Sequence, residues 1–62
     1  MKCRIGHLVT FFCRELNQNL DGKIIGIREY PSGVKYHVND TSNKAWMVDE
    51  ADILKKNYMW GD

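Results

Sequence analysis

The chain lacks the features that mark a membrane-spanning or secreted protein. It has 62 residues with only two cysteines and one proline, and no apolar run approaches the ~20 residues that a bilayer-spanning helix needs. Arg4, Gly6 and His7 interrupt the start of the chain, so the basic and then apolar layout of a secretory signal is missing. These absences predict one domain, residues 1–62, that lies in the cytoplasm and does not contact a membrane.

Cysteine and histidine are too few and too irregularly placed to predict a metal site. The spacing of Cys3, His7, Cys13 and His37 does not match the ligand pairs of zinc fingers or zinc ribbons. A disulfide between the two cysteines is uncommon in a reducing cytoplasm, where a buried cysteine behaves as a small apolar residue. We therefore expect no metal, no other cofactor and two free thiols.

The chain also lacks the residue patterns on which catalysis depends. Gly22, Gly26 and Gly33 are spaced as turn and bulge glycines, so they do not form a phosphate-binding loop. The acidic cluster Asp49–Asp52 has neither the alternating spacing nor the glycine of a calcium loop. A domain this small rarely encloses a substrate cleft. We expect a protein that is not an enzyme, with no catalytic residue and no small-molecule substrate.

What the chain does contain is a series of short apolar segments separated by turn residues. Alternation of apolar and polar residues, bounded by Asp-Gly, Pro-Ser-Gly and an Asn-rich turn, is typical of a β-meander. The segment Arg14–Asp21 is more polar and is expected to be a loop. The four predicted strands are Gly6–Cys13, Lys23–Tyr30, Val34–Val38 and Ala45–Val48.

Two irregularities in this pattern refine the predicted fold. Ile24 and Ile27 are three residues apart with Gly26 between them, which indicates a β-bulge or a sharp bend. An acidic cluster before Ile53 and Leu54 suits the start of one helical turn near residues 49–54, with both apolar side chains turned into the core. The fold class is therefore predicted to be all-β, a small barrel of four to five antiparallel strands. Whether the segment from Tyr58 to Trp60 is a fifth strand or an ordered tail stays open.

Four stretches of the chain carry a resemblance to a known superfamily. They are Gly6–Val9, Asp21–Ile27, Tyr36–Val38 and Trp46–Ile53, about three quarters of the chain with the residues between them. Their order resembles that of SH3-like small barrels, where Tudor-type and KOW-type modules show "G-x-x-V", "G-x-I-x-x-I", an alternating strand and a turn near "E-x-D-I". The resemblance implies an SH3-like barrel, a fold that hosts many unrelated binding roles. The length of the chain is also similar to that of small bacteriophage and prophage proteins.

Aromatic side chains decide which binding role the resemblance implies. Tudor-type modules hold methylated cations in an aromatic cage, yet the turn Asn39–Asn43 contains no aromatic residue. We instead expect a non-enzymatic protein-binding module, such as a phage or prophage accessory or inhibitor protein that docks onto a larger protein. Self-association through an open strand edge is the closest alternative. The residues predicted to bind the partner are Arg14, Leu16, Tyr30, Pro31, Tyr58 and Trp60.

Nucleic-acid binding is the rival hypothesis, because the charge is unevenly distributed. The net charge is only +1, but residues 1–38 hold six basic and three acidic side chains, whereas residues 39–62 hold three basic and five acidic ones. A nucleic-acid-binding domain usually has a basic face that neutralises phosphates. In a KOW-like protein of this sequence that face would consist of Arg14, Lys23, Arg28 and Lys35.

Overall fold

The structure, a computed structural model that describes residues 3–56, is a single antiparallel sheet of five strands. The spatial order of the strands is β4-β3-β2-β1-β5, and one 3₁₀ turn, Glu50–Asp52, precedes the last strand. The predicted all-β class with four to five antiparallel strands and one helical turn is thus confirmed. Within residues 3–56 no helix is long and apolar enough to cross a membrane. The strands are β1 Leu8–Cys13, β2 Gln18–Tyr30, β3 Gly33–Asp40, β4 Ala45–Asp49 and β5 Ile53–Lys56.

The long strand β2 connects the two halves of the sheet. Its first part, Gln18–Lys23, pairs with β1, and its second part, Gly22–Tyr30, pairs with β3. The register between β2 and β3 shifts between Ile24 and Gly26, so the bulge predicted from the isoleucine spacing is confirmed. Such a bulge bends the strand and increases its twist. Strand β2 can therefore take part in both halves of a curved sheet.

Alternation along each strand sends one set of side chains into a single core. In β1 the side chains of Val9, Phe11 and Cys13 are buried, whereas Phe12, which points to the other face, is only partly buried. Adjacent residues of a strand point to opposite faces, so only one of the two phenylalanines lies in the main core. The core as a whole consists of Cys3, Val9, Phe11, Cys13, Ile24, Tyr36, Val38, Val48 and Ile53, with Leu20, Val34 and Trp46 packed against it.

The first hairpin differs from the prediction in its length. Strand β2 begins at Gln18, so the predicted loop Arg14–Asp21 is wrong beyond its first four residues. Asn17 has a left-handed backbone (φ 54°), which reverses the chain in a short turn, and Leu20 then pairs with the buried Phe11. Asparagine tolerates this conformation better than most residues. The first strand begins at Leu8 rather than Gly6.

Strand β5 departs from the prediction because of a second bulge. The register between β1 and β5 shifts so that Phe11 faces Ile53 while Thr10 faces Lys55, which leaves Leu54 without a direct cross-strand partner. Ile53 is buried as predicted, but Leu54 is 50% exposed, so the prediction that both turn inward is wrong. The described fifth strand is Ile53–Lys56, upstream of the tail proposed for that role. Tyr58 and Trp60 lie outside the described residues.

Asp40 organises the turn between β3 and β4. Its Oδ1 accepts hydrogen bonds from the backbone N–H groups of Ser42 (2.8 Å) and Lys44 (3.0 Å), and its Oδ2 accepts one from Trp46 Nε1 (2.8 Å). Lys44 Nζ lies 4.3 Å from the centre of the Trp46 ring. Because the indole and backbone donors favour the ionised carboxylate, the pKa of Asp40 is below its ordinary value.

Acid should therefore remove the stability that the ionised Asp40 gives to this turn. A carboxyl group whose pKa is lowered by folding stabilises the protein above its unfolded pKa, about 3.9, and this contribution disappears as the pH falls through the folded value. We expect Asp40→Asn to be less stable than the wild type at pH 7, with the difference shrinking below about pH 4. Urea unfolding from pH 7 to pH 3 measures this, and a constant difference across that range would contradict it.

Candidate functional site

Two adjoining cavities lie beside the 3₁₀ turn, with the Lys35–Asp49 pair between them. The first, of about 290 Å³, lies between the end of β1 and strand β4, and the second, of about 460 Å³, lies beside the turn between β2 and β3. Both are lined by Lys35 and Asp49, so the two cavities adjoin. We call this surface the groove. The other lining residues used below are Phe12, Arg14, Glu15, Trp46, Met47, Glu50 and Asp52.

An ion pair that connects residues far apart in sequence fixes one end of the groove. Arg14 Nε lies 2.9 Å from Asp52 Oδ2, and an Arg14 guanidinium N–H also donates to Asp52 Oδ1 at 3.3 Å. This two-point contact holds the turn after β1 against the 3₁₀ turn. The hydrogen bond to Asp52 raises the pKa of the Arg14 guanidinium above its ordinary value, so the pair stays charged at neutral pH.

A second ion pair lies where the two cavities meet. Lys35 Nζ is 3.5 Å from Asp49 Oδ1, with both side chains 44% exposed. The same ammonium group lies 5.9 Å from the centre of the Tyr30 ring, close to the limit of a cation–π contact. Exposed ion pairs are worth only about 0–1 kcal/mol. Lys35 and Asp49 are therefore free to separate when another charged group approaches.

The buried Tyr36 supports the wall of the groove from inside the core. Its hydroxyl donates a hydrogen bond to Glu50 Oε2 (3.1 Å) and accepts one from the backbone N–H of Cys3 (3.3 Å). Burial is the main reason why the pKa of Tyr36 is raised, and the neighbouring carboxylate adds to the effect. One side chain thus attaches both the 3₁₀ turn and the start of the chain to strand β3. Cys3 itself is buried in the core.

The charge and the apolar lining of the groove indicate what it can hold. Four carboxylates line it, whereas its two cations, Arg14 and Lys35, are already paired with two of them. Glu15 has no ion pair within residues 3–56. Phe12, Trp46 and the 51% exposed Met47 add apolar surface. This combination suits a segment that carries basic and apolar side chains.

The structure places the predicted protein-binding residues around this groove but not all within it. Arg14 lines the first cavity, whereas Leu16 is 50% exposed in the turn after β1 and does not line the groove. Tyr30, 44% exposed, and Pro31 lie in the turn next to the second cavity. The predicted Tyr58 and Trp60 fall outside the described part of the chain. The residues predicted from the sequence did not include Met47 and Glu50, which line the groove. An exposed methionine on an edge strand indicates a contact surface, and this signal could have identified Met47.

The four residues predicted to contact nucleic acid do not form one free basic face. Arg14 is held by Asp52 and Lys35 by Asp49, both beside the groove. Lys23 and Arg28 lie on β2, opposite Asn39 and Lys35 of β3, and neither has an ion pair among residues 3–56. The structure therefore brings Lys23, Arg28 and Lys35 to one side of the sheet, whereas Arg14 lies in the turn after β1 and lines the groove together with Lys35.

The residues considered for metal binding or catalysis are dispersed. Cys3 and Cys13 are buried free thiols. His7 is buried before β1, and its Nδ1 accepts a hydrogen bond from the backbone N–H of Arg4 at 2.9 Å. Within the described range, no group of three histidine, cysteine, aspartate or glutamate residues could hold a metal ion.

Comparisons with known proteins give no further guide to this groove. No protein-family model matches the chain, and neither the curated proteins nor the solved structures include a significant match. Membership of the SH3-like superfamily therefore stays a prediction. The function has to be inferred from the geometry and the charges of the chain itself.

Proposed function

We propose that this protein is a non-enzymatic binding module whose groove docks a basic and apolar segment of a larger protein. The observation that carries the proposal is the meeting of two cavities at the Lys35–Asp49 pair, within a lining where carboxylates outnumber cations. An accessory or inhibitor protein of a phage or prophage, as suggested by its length, would act in this way by covering or tethering its target.

The mechanism uses a preformed surface and an exchange of ion-pair partners. Tyr36 and the Arg14–Asp52 pair hold the groove walls before the partner arrives, so little ordering cost is added on binding. A lysine or arginine of the partner can compete for Asp49, because the exposed Lys35–Asp49 pair is weak. Apolar side chains of the partner then cover Met47 and Trp46, which removes apolar surface from water.

One methionine, Met47, and one leucine, Leu54, provide a matched test of this proposal. Met47 on β4 and Leu54 on β5 are 51% and 50% exposed on strands at opposite edges of the sheet, and only Met47 lines the groove. We expect Met47→Lys to weaken binding of the partner at least about tenfold, or 1.4 kcal/mol, since it removes an apolar contact and places a positive charge against a basic segment. Leu54→Lys should leave binding unchanged.

The measurement is capture of a partner from cells of the source organism, followed by calorimetric titration of the purified partner with each variant. Both variants should melt within a few degrees of the wild type, because both replaced side chains are half exposed. Equal losses of affinity with Met47→Lys and Leu54→Lys would show that the groove is not the contact. Capture of no protein by the folded wild type would count against the proposed function itself.

Nucleic-acid binding remains the second candidate function, supported by the unpaired Lys23 and Arg28 on one side of β2. Nucleic-acid binding has less support than protein binding, because Arg14 and Lys35, two of its four predicted residues, already contact carboxylates. A nucleic-acid-binding protein should retain an oligonucleotide at low ionic strength, where electrostatic contacts are strongest.

Self-association through a strand edge is a related candidate. Strands β4 and β5 form the two edges of the described sheet. Lys55 and Lys56 lie on β5, and lysines on an edge strand discourage pairing with another chain. If two copies pair, strand β4 is therefore the expected contact, and a larger partner would compete with the dimer for Met47.

A further inference from the structure

A third cavity, of about 260 Å³, lies along β2 and shares no lining residue with the groove. It is lined by Ile25, Gly26, Ile27, Arg28 and His37. The bulge between Ile24 and Gly26 lies at this cavity. The His37 side chain lies against Gly26, since a Cβ atom there would touch the Cβ of His37 at 3.4 Å.

His37 brings an unused hydrogen-bonding group to this cavity. Its Nε2 atom is buried and has no hydrogen-bond partner within residues 3–56. Buried polar atoms are nearly always paired in folded proteins, so an unpaired one requires an explanation. Because this atom is shielded from solvent, a partner carboxylate can reach it only after the His37 side chain turns toward the cavity. The tautomer with its hydrogen on Nε2 would then donate a hydrogen bond to that carboxylate.

Basic and apolar side chains surround the same cavity. Arg28 is exposed, has no ion pair among the described residues, and faces another cation, Lys35, directly across the strand pair. Lys35 is already paired with Asp49, so Arg28 is the cation that an anion bound at this cavity would neutralise. The segments 4–7 and 23–28 contain three basic residues and no acidic one.

The start of the chain extends this surface with apolar side chains. Gly6 N–H donates to the carbonyl of Ile24 (2.8 Å), and Ile24 N–H donates to the carbonyl of His7 (2.9 Å), so segments 4–7 and 23–28 lie side by side. Ile5, Ile25 and Ile27 are 62%, 46% and 38% exposed. Exposed aliphatic side chains rimmed by charge are typical of protein contacts.

We infer that this second surface binds an acidic and apolar segment of another protein, with a carboxylate between Arg28 and His37. The apolar side chains of that segment would pack on Ile5, Ile25 and Ile27. A protein segment fits better than a nucleic acid, because segments 4–7 and 23–28 contain no phenylalanine, tyrosine or tryptophan on which bases could stack, and His7 is buried. The chain would then be an adaptor with two docking surfaces of opposite charge.

The test is a fluorescence anisotropy titration of the full-length protein with a labelled eight-residue peptide of alternating Glu and Leu. We expect this peptide to bind and Arg28→Gln to weaken its binding at least about tenfold, the effect of losing a charge-assisted hydrogen bond. Lys55→Gln on strand β5 removes one positive charge far from the cavity and should change the affinity less than about twofold. A peptide of alternating Gln and Leu should not bind measurably.

Three results would overturn this inference. They are failure of the Glu-Leu peptide to bind, equal weakening by Arg28→Gln and Lys55→Gln, and tighter binding of an oligothymidine of equal charge that is lost with Arg28→Gln. The last result would identify the surface as a nucleic-acid site. None of these results bears on the Met47 test, because the two surfaces share no lining residue.

Discussion

Phe11→Ala is expected to remove about 3–5 kcal/mol of stability, the usual cost of truncating a buried phenylalanine. The side chain is fully buried in β1 and faces Leu20 on one side and Ile53 on the other. A chain of 62 residues has roughly 3–9 kcal/mol of stability in total. We therefore expect the variant to be largely unfolded at 25 °C by circular dichroism and urea denaturation.

The adjacent phenylalanine is the control for this change. Phe12 loses the same atoms in Phe12→Ala, but its side chain is only partly buried on the other face of β1. We expect a loss of no more than about 1.5 kcal/mol, the value of a partly buried side chain. Equal losses of stability for Phe11→Ala and Phe12→Ala would mean that β1 is covered on both faces and that the groove beside Phe12 is filled.

Gly22→Ala is the second change with a large expected effect, about 3 kcal/mol or more, at the upper end of the cost of overpacking. Gly22 pairs with Val9 of β1 and with Asp40 of β3, at the point where β2 passes from one partner strand to the other. An added Cβ would lie 2.6 Å from the carbonyl oxygen of Asn39 and 2.6 Å from Val38 Cγ1. A backbone oxygen cannot rotate away, so the strands would have to separate.

Gly26→Ala on the same strand is the matched control. Its Cβ would meet nothing closer than the 3.4 Å contact with His37, and the glycine does not have a left-handed backbone. Loss of chain entropy in the unfolded state should make this change neutral or stabilising by up to about 1 kcal/mol. Thermal melts compare the stability of the two variants. A Gly22→Ala protein as stable as Gly26→Ala would contradict the close approach of β3 to β2 at Gly22.

Local signals in the sequence were sufficient to predict the strands and the bend in this fold. The spacing of Ile24 and Ile27 predicts the bulge, and the alternation from Val34 to Val38 predicts which side of β3 is buried. Contacts with residues distant in sequence explain the two errors, which concern the start of β2 and the burial of Leu54. Leu20 belongs to β2 because it pairs with Phe11, and Leu54 is exposed because β5 changes register against β1.

The groove was harder to predict than the fold. Arg14 and Asp52 are 38 positions apart, and no periodic pattern indicates that they form an ion pair. The same holds for Tyr36, whose aromatic ring predicts burial but whose hydroxyl bonds to Glu50 and Cys3 depend on the folded sheet. The turns near Arg14 and Pro31 were predictable, because turn residues are recognisable from composition, and the structure places both beside the groove.

The central claim is that the groove is the contact surface for a protein partner. The most direct measurement is a map of amide chemical-shift changes in the ¹⁵N-labelled protein as the purified partner is added. The proposal predicts the largest changes at Glu15, Lys35, Met47 and Glu50, on both sides of the Lys35–Asp49 pair. Changes confined to other parts of the sheet, with these four amides unmoved by a bound partner, would contradict it.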